Sequence, residues 1–110
     1  MKRNPLTDPM IEEVSQLFLA LGDPSRLKIL RTLLESGTAL SQGTLAEATG
    51  LSQANASKHL AHLVRVGLVV REAEGNSVFY QPVMPLVGDL CDKVCGHVTD
   101  RVKAAYQALK

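Results

Sequence analysis

Two cysteines, Cys91 and Cys95 in the run LCDKVCGH, stand four residues apart. On a helix that spacing sets both thiols on one face. Two thiolates hold a soft ion: As(III), Cd(II), Hg(II), Cu(I) or zinc. Across an antiparallel dimer of last helices four thiolates could meet, or His97 could join them. A disulfide within the helix is awkward, because the Cβ vectors four residues apart do not converge. A disulfide or persulfide link to a partner chain is easier, so redox or sulfide sensing is a second reading. Asp89, Asp92 and Asp100 disfavour thiolates nearby, and Lys93 favours them. The third reading is plain packing, since cysteine is a small hydrophobe and a helix must bury a stripe. All three stay open.

A different chemistry is carried by Ser52, Gln53, Asn55 and Ser57, followed by Lys58 and His59. Short polar side chains in the first turns of a helix meet base edges when that helix enters a major groove. Gln and Asn make paired bonds to adenine, while Lys favours guanine or phosphate. The helix N-terminus itself attracts phosphate. Ala54 and Ala56 keep the helix slim. Between residues 51 and 71 stand Lys58, Arg65 and Arg71 and no acid, a local +3 in a chain of net charge +1. Arg26, Lys28 and Arg31 can add to that face. A solvated helix face is the plain alternative. No Gly-rich phosphate loop, carboxylate pair or Ser-His-Asp set is present, so an enzyme ranks last.

The elements that must position these residues are punctuated clearly. Met10, Val14, Leu17, Phe18 and Leu21 recur at helical spacing, and Gly22 stops that helix. Asp23-Pro24 starts the next, with Leu27, Leu30, Leu33 and Leu34 as its buried stripe. Gly37 closes it. Ser41 caps a short helix to about Thr49, buried through Leu45 and Ala48, and Gly50 ends it abruptly. Ser52 caps a helix over 52–66 that buries Ala56, Leu60, Leu63 and Val64. Gly67 ends it, with Leu68 packing back on Leu63.

A β-hairpin over 68–81 follows, turning at Gly75-Asn76. Val69, Val78 and Phe79 close the core edge. Arg71 and Asn76 are the hairpin's candidates for DNA contact, although Glu72 and Glu74 near the tip repel phosphate. Pro82 and Pro85 frame the start of a long helix to the end of the chain, with Val87, Leu90, Val94, Val98, Val102, Ala105 and Leu109. Residues 1–7 read as a frayed tail.

The result is one domain over 1–110, mainly α with a small β-hairpin, in the order α-α-α-α-β-β-α. A helix-turn-helix followed at once by a hairpin is a winged helix. With 45% hydrophobic but only 4% aromatic residues, Leu, Val and Ala must build the core. The last helix carries too many apolar faces for one small domain, so a twofold homodimer is expected. No stretch approaches the roughly 20 apolar residues that span a bilayer. Pro5, Asp8 and Pro9 interrupt any signal-peptide pattern. A soluble cytoplasmic protein without a membrane partner is expected, its cysteines reduced.

The runs FLALGDPSRLKILRTL, LAEATGLSQANASKHLAHLVRVGLV and EGNSVFYQ, in that order, resemble the ArsR/SmtB family of bacterial winged-helix repressors. The likeness runs over about residues 12–81. It implies a homodimer built by the first and last helices, repression by operator binding, and release by an effector. By position, Ser52, Gln53, Asn55, Ser57, Lys58 and His59 fall on the family's recognition helix. Founding members hold a cysteine motif at the third helix, where this chain reads ALSQGTLAE. Another branch binds zinc between the last helices; here its two pairs fall on Met84 with Leu86 and on His97 with Asp100, which is half a site. Members that form a dithiol link need a cysteine in the second helix, which this chain lacks.

Cys91 and Cys95 are left as the effector candidates. The expected protein is a dimeric repressor that grips a pseudo-palindromic double-stranded operator through the helix 52–66. A thiophilic metal or metalloid ion at or near Cys91/Cys95, with His97 as a further ligand, releases it. A thiol-redox or sulfide-responsive repressor is the alternative. A winged-helix protein-interaction module that never touches DNA is the alternative of another class.

Overall fold

A computed structural model describes residues 6–109. Its elements run α1 (Asp8–Leu21), α2 (Pro24–Ser36), α3 (Gln42–Thr49), α4 (Gln53–Arg65), β1 (Val69–Glu74), β2 (Ser77–Pro82) and α5 (Leu86–Ala108), the order expected from sequence. Each of the first four helices begins on a side chain that satisfies an orphan N–H. Asp23 Oδ1 accepts from the Arg26 N–H at 3.0 Å, Ser41 Oγ from Thr44 at 3.2 Å and Ser52 Oγ from Asn55 at 3.1 Å. Thr7 accepts from Met10 in the same way, so the expected frayed tail is wrong there. Residues 1–5 lie outside the described ones.

The helix ends are as specific. Gly67 adopts φ +83°, the Leu68 N–H donates to Leu63 O at 2.9 Å, and the Gly67 N–H donates to Val64 O at 3.1 Å. That pair of bonds turns the chain out of α4 and delivers Leu68 to the core beside Leu63. Gly50, at φ +74°, ends α3 by the same pairing, with Leu51 donating to Ala46 O at 3.0 Å. Gly75 has positive φ and Asn76 does not, the signs of a type II′ hairpin turn. It sets a register in which Val69 faces Pro82, Arg71 faces Tyr80 and Glu74 faces Ser77. Leu40 adds a short third rung, exchanging both main-chain bonds with Tyr80 at 2.8 and 3.1 Å.

The core joins Ala20, Ile29, Leu30, Leu33, Leu45, Leu60, Leu63, Leu68, Val69, Tyr80 and Val87. It differs from the expected list where helical or strand phase moves a buried position by one or two residues. Ile29 is buried, while Leu27 is 44% exposed and looks toward α5. Ala46 replaces Ala48, which is exposed. Tyr80 replaces Phe79, because side chains on one strand alternate and Val78 can share the core face only with Tyr80. α4 stops at Arg65, with Val66 as its C-cap.

The first and last helices contribute little to this core. α1 buries only Ala20 and α5 only Val87. Phe18 is 60% exposed, and Val94, Val98 and Val102 are 58, 52 and 63% exposed. Among the described residues, no helix is long and apolar enough to cross a membrane.

Gly67→Ala is expected to lower the unfolding free energy by about 1–2 kcal/mol, the cost of a left-handed L-residue. Gly96 lies inside α5 with open space around an added Cβ. Gly96→Ala is expected to raise stability by roughly 0.5–1 kcal/mol. Urea denaturation at one protein concentration reads both signs; a Gly67→Ala protein as stable as wild type would remove the capping argument.

Candidate nucleic-acid interface and thiol groove

α4 is amphipathic in the required sense. Ala56, Leu60 and Leu63 anchor it to the core, and Ser52, Gln53, Asn55, Ser57 and Lys58 are exposed. Two of these side chains also have structural partners. Ser52 Oγ is the cap acceptor of Asn55. Gln42 of α3 donates from Nε2 to both the main-chain O and the Oε1 of Gln53, each at 3.2 Å, which orients the first residue of α4.

Between α4 and the wing lies a groove of about 500 Å3, lined by Gln42, Ser57, Ala61, Val64, Arg65, Arg71 and Tyr80. The structure therefore brings Ser57 and Arg71 together and adds Gln42 and Arg65, which were not on the expected site list. Arg65 was legible as part of the acid-free run; Gln42 was hidden because its partner is eleven residues away. Asn76 is exposed at the turn, five residues beyond Arg71 on the strand that carries Glu72 and Glu74. It does not line the groove.

His59 is placed differently from the other polar residues of α4. It is half-buried, and its Nδ1 lies 3.5 Å from Arg26 Nη1. Arg26 also donates from Nε to Ala20 O at 2.7 Å and from Nη2 to Leu19 O at 3.1 Å. Thus Arg26, expected as part of a basic face, instead caps the end of α1 and touches α4. One helical turn on, Arg65 Nη2 lies 3.1 Å from His62 Nδ1, and His62 Nε2 is buried without a hydrogen-bond partner. Burial, then the charges of Arg26, Arg65 and His59, hold the His62 pKa below its ordinary value. The Asp23 carboxyl is held down by the Arg26 N–H and by the charges of Arg26 and His59, with burial opposing.

Cys91 is half-buried, Cys95 is exposed, and both are free thiols. Together they line an apolar groove of about 400 Å3 with Phe18, Leu21, Gly22, Leu27, Leu90 and Val94, at the corner of α1, α2 and α5. Burial pushes the Cys91 thiol pKa up, and Cys95 and Asp92 add to this. His97 does not complete the pair. Two residues beyond Cys95 it lies about 200° around the helix axis. Among the described residues, no three or more His, Cys, Asp or Glu side chains gather as a metal site. Within one protomer His97 therefore stands off the thiol face, and the expectation of it as a ligand belongs to a second copy of the chain.

Two consequences are measurable. Arg26→Ala removes two carbonyl contacts of a charged donor and should cost about 1–3 kcal/mol of stability in urea denaturation. His62 has a folded pKa below its unfolded one, so the unfolded chain binds more protons in that window. Stability should therefore fall as pH drops below about 6.5 and stay level above it. His62→Asn should flatten that decline, and an unchanged slope would remove His62 as its source.

Comparison with known proteins agrees with this geometry. A helix-turn-helix domain family model matches residues 21–72. The HTH-type transcriptional regulator NmtR of Mycobacterium tuberculosis is 38% identical over 93 residues, covering 84% of this chain and 76% of that protein. A homodimeric winged helix-turn-helix DNA-binding domain from Mycobacterium bovis, a possible ArsR-family regulator, shares the fold. Its TM-score is 0.81 at 24% identity, over 93% of each chain. The antimony-specific transcriptional repressor AntR superposes with a TM-score of 0.76 at 26% identity, over 94% of this chain and 92% of that one. With α4 presented as it is beside a wing, this chain belongs to the ArsR/SmtB family of winged-helix transcriptional repressors and is not an enzyme.

Proposed function

We propose that the protein is a dimeric repressor made of one winged-helix domain. α1 and α5 pair it with a second copy, α4 reads a pseudo-palindromic operator, and the Cys91/Cys95 pair receives a thiophilic metal or metalloid that releases the DNA. The observation that carries this reading is the exposed, acid-free face of α4, beside a groove that holds Arg65 and Arg71. Gln53, Asn55 and Ser57 meet base edges. Lys58, Arg65 and Arg71 meet phosphates, as does the amide end of the helix capped by Ser52. Asn76 reaches the backbone at the wing tip. His59 acts through Arg26 rather than on a base.

Support for the dimer comes from the apolar faces of α1 and α5. Their valines and Phe18 are left open by a core that takes one residue from each helix. A twofold axis through those helices sets two copies of α4 about one DNA turn apart. The effector site is supported by two soft donors on one helix face in an apolar groove, a fit for an ion that prefers sulfur and few ligands. The antimony-specific repressor is a neighbour of this fold.

Fluorescence anisotropy with DNA from the protein's own upstream region tests the first part. Affinity should fall at least about tenfold between 50 and 200 mM salt. Lys58→Ala should weaken all sequences alike, and Gln53→Ala with Asn55→Ala should cost discrimination worth about 1–3 kcal/mol per base. No binding at low salt would favour a protein-interaction module instead. Cys91→Ser/Cys95→Ser should keep DNA affinity and lose release by As(III), Cd(II), Hg(II), Cu(I) or zinc. If an oxidant or sulfide alone releases the wild type, the thiol-redox reading replaces the metal. A double variant that still responds ends the cysteine-sensor reading.

A further inference from the structure

We propose that Gln42 sets which base Gln53 reads. It holds the Gln53 amide with the NH2 end outward, so that α4 takes guanine in preference to adenine at that base pair. Gln42 is a positioning residue, and the proposal rests on the reading of α4 as the helix that enters the major groove.

Both glutamines open a capped helix. Gln42 is the first residue of α3, after Ser41, and Gln53 is the first of α4, after Ser52. Leu45 and Ala46 bury α3, and Ala56, Leu60 and Leu63 bury α4, so the core fixes both backbones. Gln42 Nε2 lies 3.2 Å from the main-chain O of Gln53 and 3.2 Å from its Oε1. A main-chain carbonyl only accepts, so the end of the Gln42 amide that faces it must be the NH2. That NH2 has two hydrogens, and two acceptors stand before it. The end of the Gln53 amide facing the same NH2 must in turn be its oxygen, because two NH2 groups would repel. One main-chain oxygen thus fixes both amides. Gln53 Nε2 is left over Gly43, where even an added Cβ would stand 3.7 Å away. It makes no hydrogen bond among the described residues, and Gln53 is exposed.

A free glutamine amide offers a donor and an acceptor side by side. That matches adenine, whose N7 accepts and whose N6–H2 donates. With Oε1 turned to Gln42, the end left for DNA is a donor. Guanine presents two acceptors, O6 and N7, and meets both hydrogens of Nε2. Adenine meets one of them at N7 and sets its own N6–H2 against the other. The lock also orders a long side chain before DNA arrives, so less rotamer freedom is lost on binding. Gln42 carries no charge, so it acts on discrimination and not on the salt-dependent grip of the phosphate contacts.

The test uses the full chain and fluorescence anisotropy on the upstream duplex, with each base pair of one half-site set to all four bases in turn. The base pair at which Gln53→Ala abolishes discrimination is the one Gln53 reads. There the wild type should bind guanine about fivefold or more tightly than adenine. Gln42→Ala frees Oε1 and should bring that ratio to one or below. Gln42→Glu sets an acceptor where the NH2 stood, which turns the Gln53 amide over and faces Oε1 to the base. Adenine, with a donor at N6, should then be preferred to guanine, and the ratio should invert. The added charge weakens all sequences alike. The readout is a ratio of two affinities of one protein, so that weakening and any loss of folded protein both cancel. A wild-type ratio at or below one, or a ratio that neither Gln42 variant moves, overturns the proposal and leaves Gln53 as a base reader. If Gln53→Ala changes discrimination at no position, the reading of Gln53 falls with it.

Discussion

Arg26 is the side chain on which the arrangement of this protein turns. α1 buries a single residue, so packing alone holds it weakly, and its last carbonyls have no partner within the helix. The Arg26 guanidinium takes the carbonyls of Leu19 and Ala20 and puts a cation at the negative end of the α1 dipole. The local sequence makes this possible. Gly22 ends one helix, Asp23 caps the next by accepting the Arg26 N–H, and Pro24 starts it. Within five residues the chain reverses, and the side chain of the fifth reaches back over the end it has left. The same guanidinium lies against His59 on α4. One residue thus joins the wall of the thiol groove to α4, the helix proposed to read DNA.

The remainder of the fold divides by what it buries. From Ala20 to Val87 every element gives the core at least one residue, and α4 is braced from α2, α3 and the hairpin. That bracing lets the face of α4 stay polar: Ala56, Leu60 and Leu63 do the anchoring, and the outward positions are free for contact. Outside this body, α1 and the distal part of α5 present apolar side chains to solvent. Such surface is costly in water and is relieved when a second copy covers it. The cysteine groove lies where the two regions meet, half within the body through Leu90 and Cys91 and half on the open face through Val94 and Cys95.

Much of this was legible in the residues themselves, for a local reason. Asp23-Pro24, Ser41, Ser52, Gly50 and Gly67 act within one helical turn, and a cap or a left-handed glycine requires no knowledge of the rest of the chain. The five-helix order with its hairpin follows from those signals. What was not legible depends on distant partners. His59 looks from sequence like the next polar residue of a reading face; only Arg26, 33 residues earlier, turns it into an internal contact. Gln42 orients Gln53 across the helix-turn-helix for the same kind of reason. Leu27 and Ile29, Ala46 and Ala48, and Phe79 and Tyr80 are neighbouring apolar choices between which hydrophobicity cannot decide; packing phase does. His97 is close to Cys95 in sequence, but helical rotation carries it off the thiol face.

An occupant of the thiol groove affects DNA only if the groove differs between the bound and released states. Phe18, Leu21 and Gly22 form one wall, and the carbonyls of Leu19 and Ala20 lie within the same turns. A displacement of the α1 end therefore moves Arg26's acceptors, and Arg26 cannot follow freely because its own N–H is held by Asp23. The guanidinium holds both the α1 end and His59, so a displacement of that end bears on both contacts. Coupling of the usual allosteric size, about 1–3 kcal/mol, equals one or two hydrogen bonds from a charged donor. Reciprocity fixes the converse: whatever factor an occupant removes from operator affinity, the operator removes from the occupant. On the proposed reading, a copy seated on DNA is the form least ready to take an occupant in the groove, and a soft ligand is taken up first by copies off the DNA.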